Sequence, residues 1–268
     1  MVDGASVSAT VRVVGVSKVT VLKLPADIGT VCAEYQRRTM NNLPCRVVEC
    51  DEIWSWIHKK ERNVLRDEKG RGQGDVWRWT AICADTKVVP CWHLGSRDAN
   101  AAALFMEDLA SRLSHRVQLT TDGHKAYLRA VEGAFGWNGV DYAMLVKVYG
   151  ASPEGDHRYS PAQVTATSAE WIMGIPDPER VSTSYAERQN LPMRMNMRRF
   201  TRLTNAFSKK MENHGHAIAL YFTAYNFCRP HQTLTKAKGG VKQTPAVAAG
   251  IADHVWTMEE VVGLLDAK

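Results

Sequence analysis

No apolar run approaches the roughly 18 residues that a membrane-spanning helix needs, so no hydrophobic span is expected. The opening residues, MVDGASVSAT, carry neither a basic stretch nor an apolar core, and a secretory leader is not expected either. Internal repeats are absent, and the sole low-complexity tract is the short KAKGG at 236–240. The six cysteines, Cys32, Cys45, Cys50, Cys83, Cys91 and Cys228, include no C-x-x-C pair. That spacing excludes a disulfide framework of the small secreted kind and, with ten methionines, fits a reducing compartment. Cys91 with His93, and Cys228 with His231, are the candidate zinc pairs, but neither has the paired spacing of structural zinc sites.

What is present is a globular composition. The chain has 268 residues, 45% hydrophobic and 23% charged, which excludes a disordered or collagen-like polymer. Its length suits one large domain, or a medium one with a small attachment, and can bury a substantial core. Lys and Arg exceed Asp and Glu by six, pointing weakly to an anionic partner, most simply nucleic acid.

The N-terminal segment, 1–44, reads as helix, tight turn, helix. Ala9 to Val14 forms the first helix, Gly15 the turn, and Ser17 the N-cap of a second helix from Lys18. A helix-turn-helix would offer Lys18, Thr20 and Lys23 to a DNA groove, while Pro25 is expected to end or kink the second helix. An ordinary helical hairpin fits the same residues. From Arg46 the texture changes to Val, Ile and Trp. Strands are expected at 46–57, 75–85 and 88–94, a helix over 98–114, a strand at 117–121, a helix near 125–132 and a fifth strand at 142–149. Residues 150–181 read as an irregular insertion. Two helices, 184–211 and 214–227, then close the main domain, 45–235, and 236–268 forms a tail with a short helix. The order predicts an α/β fold with a mixed five-stranded sheet flanked by helices.

Three acids stand at the edges of these elements. Asp51 lies inside an apolar and aromatic strand, where a carboxylate is costly unless paired or metal-bound. Asp122 ends a short strand before Gly123, and ligands gather at strand ends in α/β sheets. Glu187 opens the expected long helix. Each has an ordinary alternative: a polar strand face with Glu49 and Glu52, an Asp-Gly turn, or a Ser184–Glu187 capping box. The long helix tips the balance. At about 100° per residue, Asn190, Arg194, Arg198, Arg202 and Asn205 share the face of Glu187, while Met193, Phe200, Leu203 and Phe207 oppose it. Seven basic residues lie between Arg188 and Lys210, a pattern suited to tracking phosphates. Carboxylates beside such a helix suit phosphoryl transfer with two Mg²⁺ ions.

The motifs CDEIWSWI, GDVWRWTAICADTKVVPCW, VQLTTDGHKAY, STSYAERQNLPMRMNMRRFTRLTNAFSKK and YNFCRPHQTL resemble those of the DDE transposases of bacterial insertion sequences, nearest the insertion-sequence-one family. The resemblance spans about residues 10–260, in the family's order. It implies a ribonuclease-H-like catalytic domain, two Mg²⁺ ions (with Mn²⁺ able to substitute), and nicking and joining of DNA at element ends. Matched by position, Asp51, Asp122 and Glu187 form the metal-binding triad. His124, Lys125, Asn190 and Arg194 lie against the transposon end, with Arg198 and Arg202 further along the basic track, and Arg229 and His231 belong to the Y-N-x-x-R-P-H stretch. The resemblance further implies element-end and target DNA as partners, a dimer or larger assembly at synapsis, no membrane, and a nucleoid-associated place in a bacterial cytoplasm. The chain departs from the pattern in a short N-terminal segment, in Pro25 and in Pro192. An impaired or truncated relative that binds DNA or inhibits transposition, and a nuclease that cuts without joining, are the competing readings.

Overall fold

A computed structural model describes residues 2–150 and 164–266. Residues 151–163, part of the expected insertion, lie outside the described residues.

The central strand, β1 (Val47–Ile57), is buried almost throughout, as a strand covered on both faces should be. It pairs antiparallel with β2 (Gly74–Cys83), which pairs antiparallel with β3 (Trp92–Gly95). On its other side β1 runs parallel to β4 (Val117–Asp122), and β4 parallel to β5 (Val140–Tyr149). A sixth strand, β6 (Val164–Met173), pairs antiparallel with β5 and completes the order β3-β2-β1-β4-β5-β6. The sheet therefore has six strands, and part of the stretch expected to be irregular is ladder. The residues VTATSAEWIM are rich in β-branched and aromatic types, and β5 offers them an open edge. The third strand starts later than expected because the Asn226 side chain takes both backbone groups of Val89, at 3.0 Å each, before Pro90 removes a donor.

Helices cover both faces. On one lie α3 (Ala99–Arg112), capped by Asp98, and α4 (Ala126–Phe135). Phe105, Met106, Leu109, Tyr127 and Val131 pack there against Val48, Cys50 and Trp79. On the other lie α5 (Ser184–Asn196) and α6 (Met211–Thr223), where Met193, Phe200, Ile218 and Phe222 meet Ile53 and Ile82. The short helices α7 (Gln232–Ala237), α8 (Pro245–Ala248) and α9 (Met258–Gly263) follow, with Ala246 and Trp256 packed into the first cluster.

At the N-terminus, α1 (Val7–Val14) and α2 (Lys18–Thr39) flank Gly15, which adopts φ +74°, and Ser17 caps α2 through the Thr20 amide. Pro25 does not end this helix. It forgoes one backbone hydrogen bond, while Ile28, Gly29, Cys32 and Gln36 bury against α6 just beyond it. At Gly29 a Cβ would sit 2.3 Å from the His216 carbonyl oxygen, so only glycine admits this approach.

The expected helix over 184–211 stops at Asn196 despite carrying Pro192 inside it. Met197 turns extended, residues 198–200 make a single 3-10 turn that buries Phe200, and the chain continues as a loop to Met211. Ser208 fastens that loop: its carbonyl accepts from the His58 amide at 2.8 Å, and its hydroxyl contacts His214 Nδ1 at 2.8 Å. The opposite ring nitrogen of His214 contacts Ser55 at 3.1 Å. Burial drives this imidazole down to a pKa of about 3, so it stays neutral. The longest helix is α2, and no continuous helical face carries Arg194, Arg198 and Arg202.

Candidate metal centre

The last paired residues of β1 and β4 are Glu49 and Thr120. Two positions further along each strand stand Asp51 and Asp122, where the ladder between the parallel strands has ended. Side chains can converge in such a gap, and here Asp51, Glu52 and Asp122 each offer an oxygen within 4.8 Å of the others. This all-carboxylate set can hold a metal ion. Its donors suit a hard cation of the Mg²⁺ or Mn²⁺ type.

Electrostatics agrees with that fit. Burial, followed by the charge of Asp122, pushes Asp51 up to about 7, and Glu187 adds to the effect. The same two leading causes push Glu52 up to about 8. One buried oxygen of Glu52 has no hydrogen-bond partner, and neither does the buried Tyr127 hydroxyl that lies near it. A group of acids held in this state lacks positive charge. Arg97 supplies part of it, reaching Glu52 at 3.2 Å and Asp122 at 3.4 Å while its guanidinium lies 4.8 Å from the Trp77 ring centre.

Asp51 is also held from its other side. The Asn190 amide donates to Asp51 Oδ2 at 2.6 Å, and Arg78 donates to Asn190 Oδ1 at 2.5 Å. Arg78 is fully buried between Phe200 and Phe222, two of its nitrogens have no partner, and desolvation lowers it to about 9. The chain Arg78–Asn190–Asp51 thus orients the carboxylate from behind. Ala186, Gln189, Asn190 and Met193 form the buried face of α5. Asn190, expected on an exposed face against DNA, therefore points inward. Register accounts for the difference, because α5 packs on β1 and β2 through this very stripe.

Glu187 is placed differently from its two expected partners. It accepts from Thr183 Oγ1 at 2.5 Å and is paired with Lys147 of β5, and it lies outside the group formed by Asp51, Glu52 and Asp122. Nor does it close a capping box with Ser184. The second and third amides of α5, those of Tyr185 and Ala186, instead donate to Glu49 Oε2 at 2.6 and 3.1 Å. A buried carboxylate from β1 thus caps the helix, where the helix dipole also favours negative charge.

The remaining sites expected from sequence are scattered. Lys18, Thr20 and Lys23 are exposed at the start of α2, with Thr20 tied to the Ser17 cap and Lys23 to Asp27. Lys125 is exposed; His124 is half-buried beside Trp79, and burial lowers its pKa. Arg194, Arg198 and Arg202 are all exposed, the last two lining a groove with Trp56 and Lys60. Arg229 pairs with Asp3, and His231 sits half-buried at the start of α7. Among the described residues, neither Cys91–His93 nor Cys228–His231 belongs to a group of three metal-capable side chains. Sequence reasoning missed Arg78 and Arg97 as parts of the site and treated Glu52 as a strand-face alternative. The adjacency of Asp51 and Glu52 in ECDEIW was the one visible signal.

Compared with models of known protein families and with curated protein sequences, the chain matches none. Among solved structures it is similar to an endonuclease V from Bacillus subtilis, with 13% identity and a TM-score of 0.27. That match covers 71% of this chain and 92% of the other, and so low a score says nothing of activity. No helix among the described residues is long and apolar enough to cross a membrane.

Proposed function

We propose that this chain is a metal-dependent enzyme of ribonuclease-H-like fold that cuts and joins DNA strands, a DDE transposase acting at element ends. The observation that carries the reading is the acidic cluster where β1 and β4 part, within the order β3-β2-β1-β4-β5. A divalent ion there, or a pair of them, would supply Lewis acidity at a phosphoryl oxygen. Asp51 and Asp122 would hold it from adjacent strands, with Glu52 beside them. Asn190 keeps one Asp51 oxygen occupied and so fixes which oxygen faces the gap. Arg97 would exchange its carboxylate partners for the phosphate as positive charge arrives. Glu187 would join as the third member of the triad by leaving Lys147. The reaction so served is hydrolysis at an element's 3′ end, followed by in-line attack of the freed 3′-hydroxyl on a target strand. Such joining brings two ends together, which calls for at least a dimer on DNA.

A second reading draws on the Lys147–Glu187 pair. A triad carboxylate already satisfied by a lysine favours a relative that binds DNA without cutting it. A labelled duplex carrying an element end, incubated with Mg²⁺ or Mn²⁺, separates the two. Nicking at the 3′ end that is lost in Asp122→Asn supports the enzyme; nicking that persists in that variant refutes the triad. Salt-sensitive binding with no cleavage in either metal supports the second reading.

A further inference from the structure

Pairing of β1 with β4 stops at Glu49, yet its ladder with β2 continues to Trp56 opposite Asp75. The β1–β2 pair thus extends past β4 as a ribbon, flanked by β3 as far as Trp77 opposite Gly95 and two-stranded only beyond it. Residues of one ribbon face follow from the register: Glu52 opposite Trp79, then Trp54 opposite Trp77, then Trp56. Near the sheet, Phe105 and Tyr127 cover Trp79. Beyond it Trp54 and Trp77 remain partly exposed.

Cations are interleaved with these rings. Arg97 lies over Trp77 at 4.8 Å from the ring centre. Lys60 lies 5.4 Å from Trp54 and 4.8 Å from Trp56, whose own centroids are 5.0 Å apart and tilted by 33°. At the far end Phe207 stands 6.2 Å from Trp56, and a groove of about 660 Å³ opens between Trp56, Lys60, Arg198 and Arg202. At the near end Arg97 contacts the acidic cluster directly. The row therefore starts at the proposed reaction centre and ends in a basic groove.

From this alternation of ring and cation we infer that the part-exposed Trp77–Trp54 face, backed by the buried ring of Trp56, binds unpaired bases, and hence a stretch of single-stranded nucleic acid leading away from the metal centre. Every base has a π-face that an indole can stack on regardless of sequence, while Lys60, Arg198 and Arg202 match the charge of the backbone that joins the bases. A duplex offers no free base faces to the rings. The inference rests on the reading that nucleic acid is the substrate, and adds that the strand beside the reacting phosphate is held unpaired.

The test is binding of a short fluorescein-labelled oligonucleotide, single-stranded or as a blunt duplex, by fluorescence anisotropy in EDTA, where cleavage plays no part. Trp54→Ala and Trp77→Ala should each weaken single-strand binding about tenfold, within the range measured for loss of one stacked base, and leave duplex binding unchanged. Trp54→Phe should retain most of the affinity, showing that a ring is what matters, and should do so even where the alanine variant folds poorly. Lys60→Ala should lower the salt slope of single-strand binding by about one, which the tryptophan variants should not do. Equal losses for single strand and duplex, or no loss in well-folded tryptophan variants, would overturn the inference and leave the proposed function standing. Absence of binding to either probe would overturn both.

Discussion

Asp122→Asn should make the metal-free protein more stable, although Asp122 stands at the heart of the candidate site. Its charge is the second cause, after burial, of the raised pKa at both Asp51 and Glu52. At 4.8 Å or less and an effective dielectric near 20, each like-charge pair costs about 3 kcal/mol or more before solvent screening at the part-exposed Asp122 reduces it. Against this gain, the substitution gives up the 3.4 Å contact with part-exposed Arg97, worth about 0.5–1 kcal/mol. The amide oxygen of asparagine can still accept from His124 N. A net stabilisation of about 1–3 kcal/mol is expected near pH 9, where Asp51 and Glu52 are both ionised, or about 3–10 °C in Tm. Sign and window follow from the raised values. Folded Asp51 and Glu52 keep protons that the unfolded chain has already lost above about pH 4, so their stabilising effect is complete below that pH and is lost as pH rises through about 7 and 8. The advantage of the variant should therefore fade on acidification and be gone near pH 5. Added Mg²⁺ or Mn²⁺ should reverse the order, since an ion at 100 times its Kd adds about 2.7 kcal/mol to a protein that binds it and the variant has lost a ligand. Thermal melts of both proteins in EDTA and in excess metal, at pH 5 and pH 9, provide the assay. A variant that melts lower than wild type in EDTA at pH 9, or two proteins that gain equally from metal, would refute the reasoning.

Asn190→Ala should strip Asp51 of its 2.6 Å donor and orphan Arg78, costing about 1–3 kcal/mol in stability. It should also weaken Mn²⁺ binding about tenfold or more, as loss of a ligand's supporting hydrogen bond does, which calorimetric titration would show. Gly29→Ala should destabilise by about 1–3 kcal/mol in urea unfolding, because its Cβ would fall 2.3 Å from the His216 carbonyl oxygen and force α2 away from α6. His214 makes the opposite pH contribution to the acidic cluster. Its pKa drops from 6.5 to about 3 on folding, so its stabilising effect is present above 6.5 and is lost as pH falls toward 3. Replacing it with Gln should flatten the acid limb of a urea-stability profile, and an unchanged limb would assign the acid loss to other groups.

Much of the architecture was legible because periodicity is a local property. The strands starting at Val47, Gly74, Val117 and Val140, and the helices starting at Ala99 and Ala126, lie within a few residues of where alternation and helical spacing put them. Asp51 stands out as a costly charge inside an apolar strand and Asp122 as an acid at a strand end, and the two do meet. Other features depended on contacts between distant segments. Pro25 points to an end or a kink because a lost hydrogen bond is visible in sequence, whereas the burial against α6 that carries the helix on to Thr39 is not. The long basic helix was read from spacing alone. In the fold, burial of Phe200 and the tether from Ser208 to His58, just past β1, break it into α5, a single 3-10 turn and a loop.

By itself, then, the sequence determined the alternation of strands and helices, one acid inside a strand and one at a strand end, and the excess of basic charge, all consequences of local residue pattern. Tertiary structure alone decided which groups became neighbours. It set Glu52 rather than Glu187 in one group with the two aspartates, turned Asn190 inward onto Asp51, and brought Arg78 to the site from β2 and Arg97 from the loop after β3. The physical reason is that side-chain direction is set by register and packing angle. A shift of one residue on a strand, or about 100° on a helix, exchanges the buried face for the exposed one.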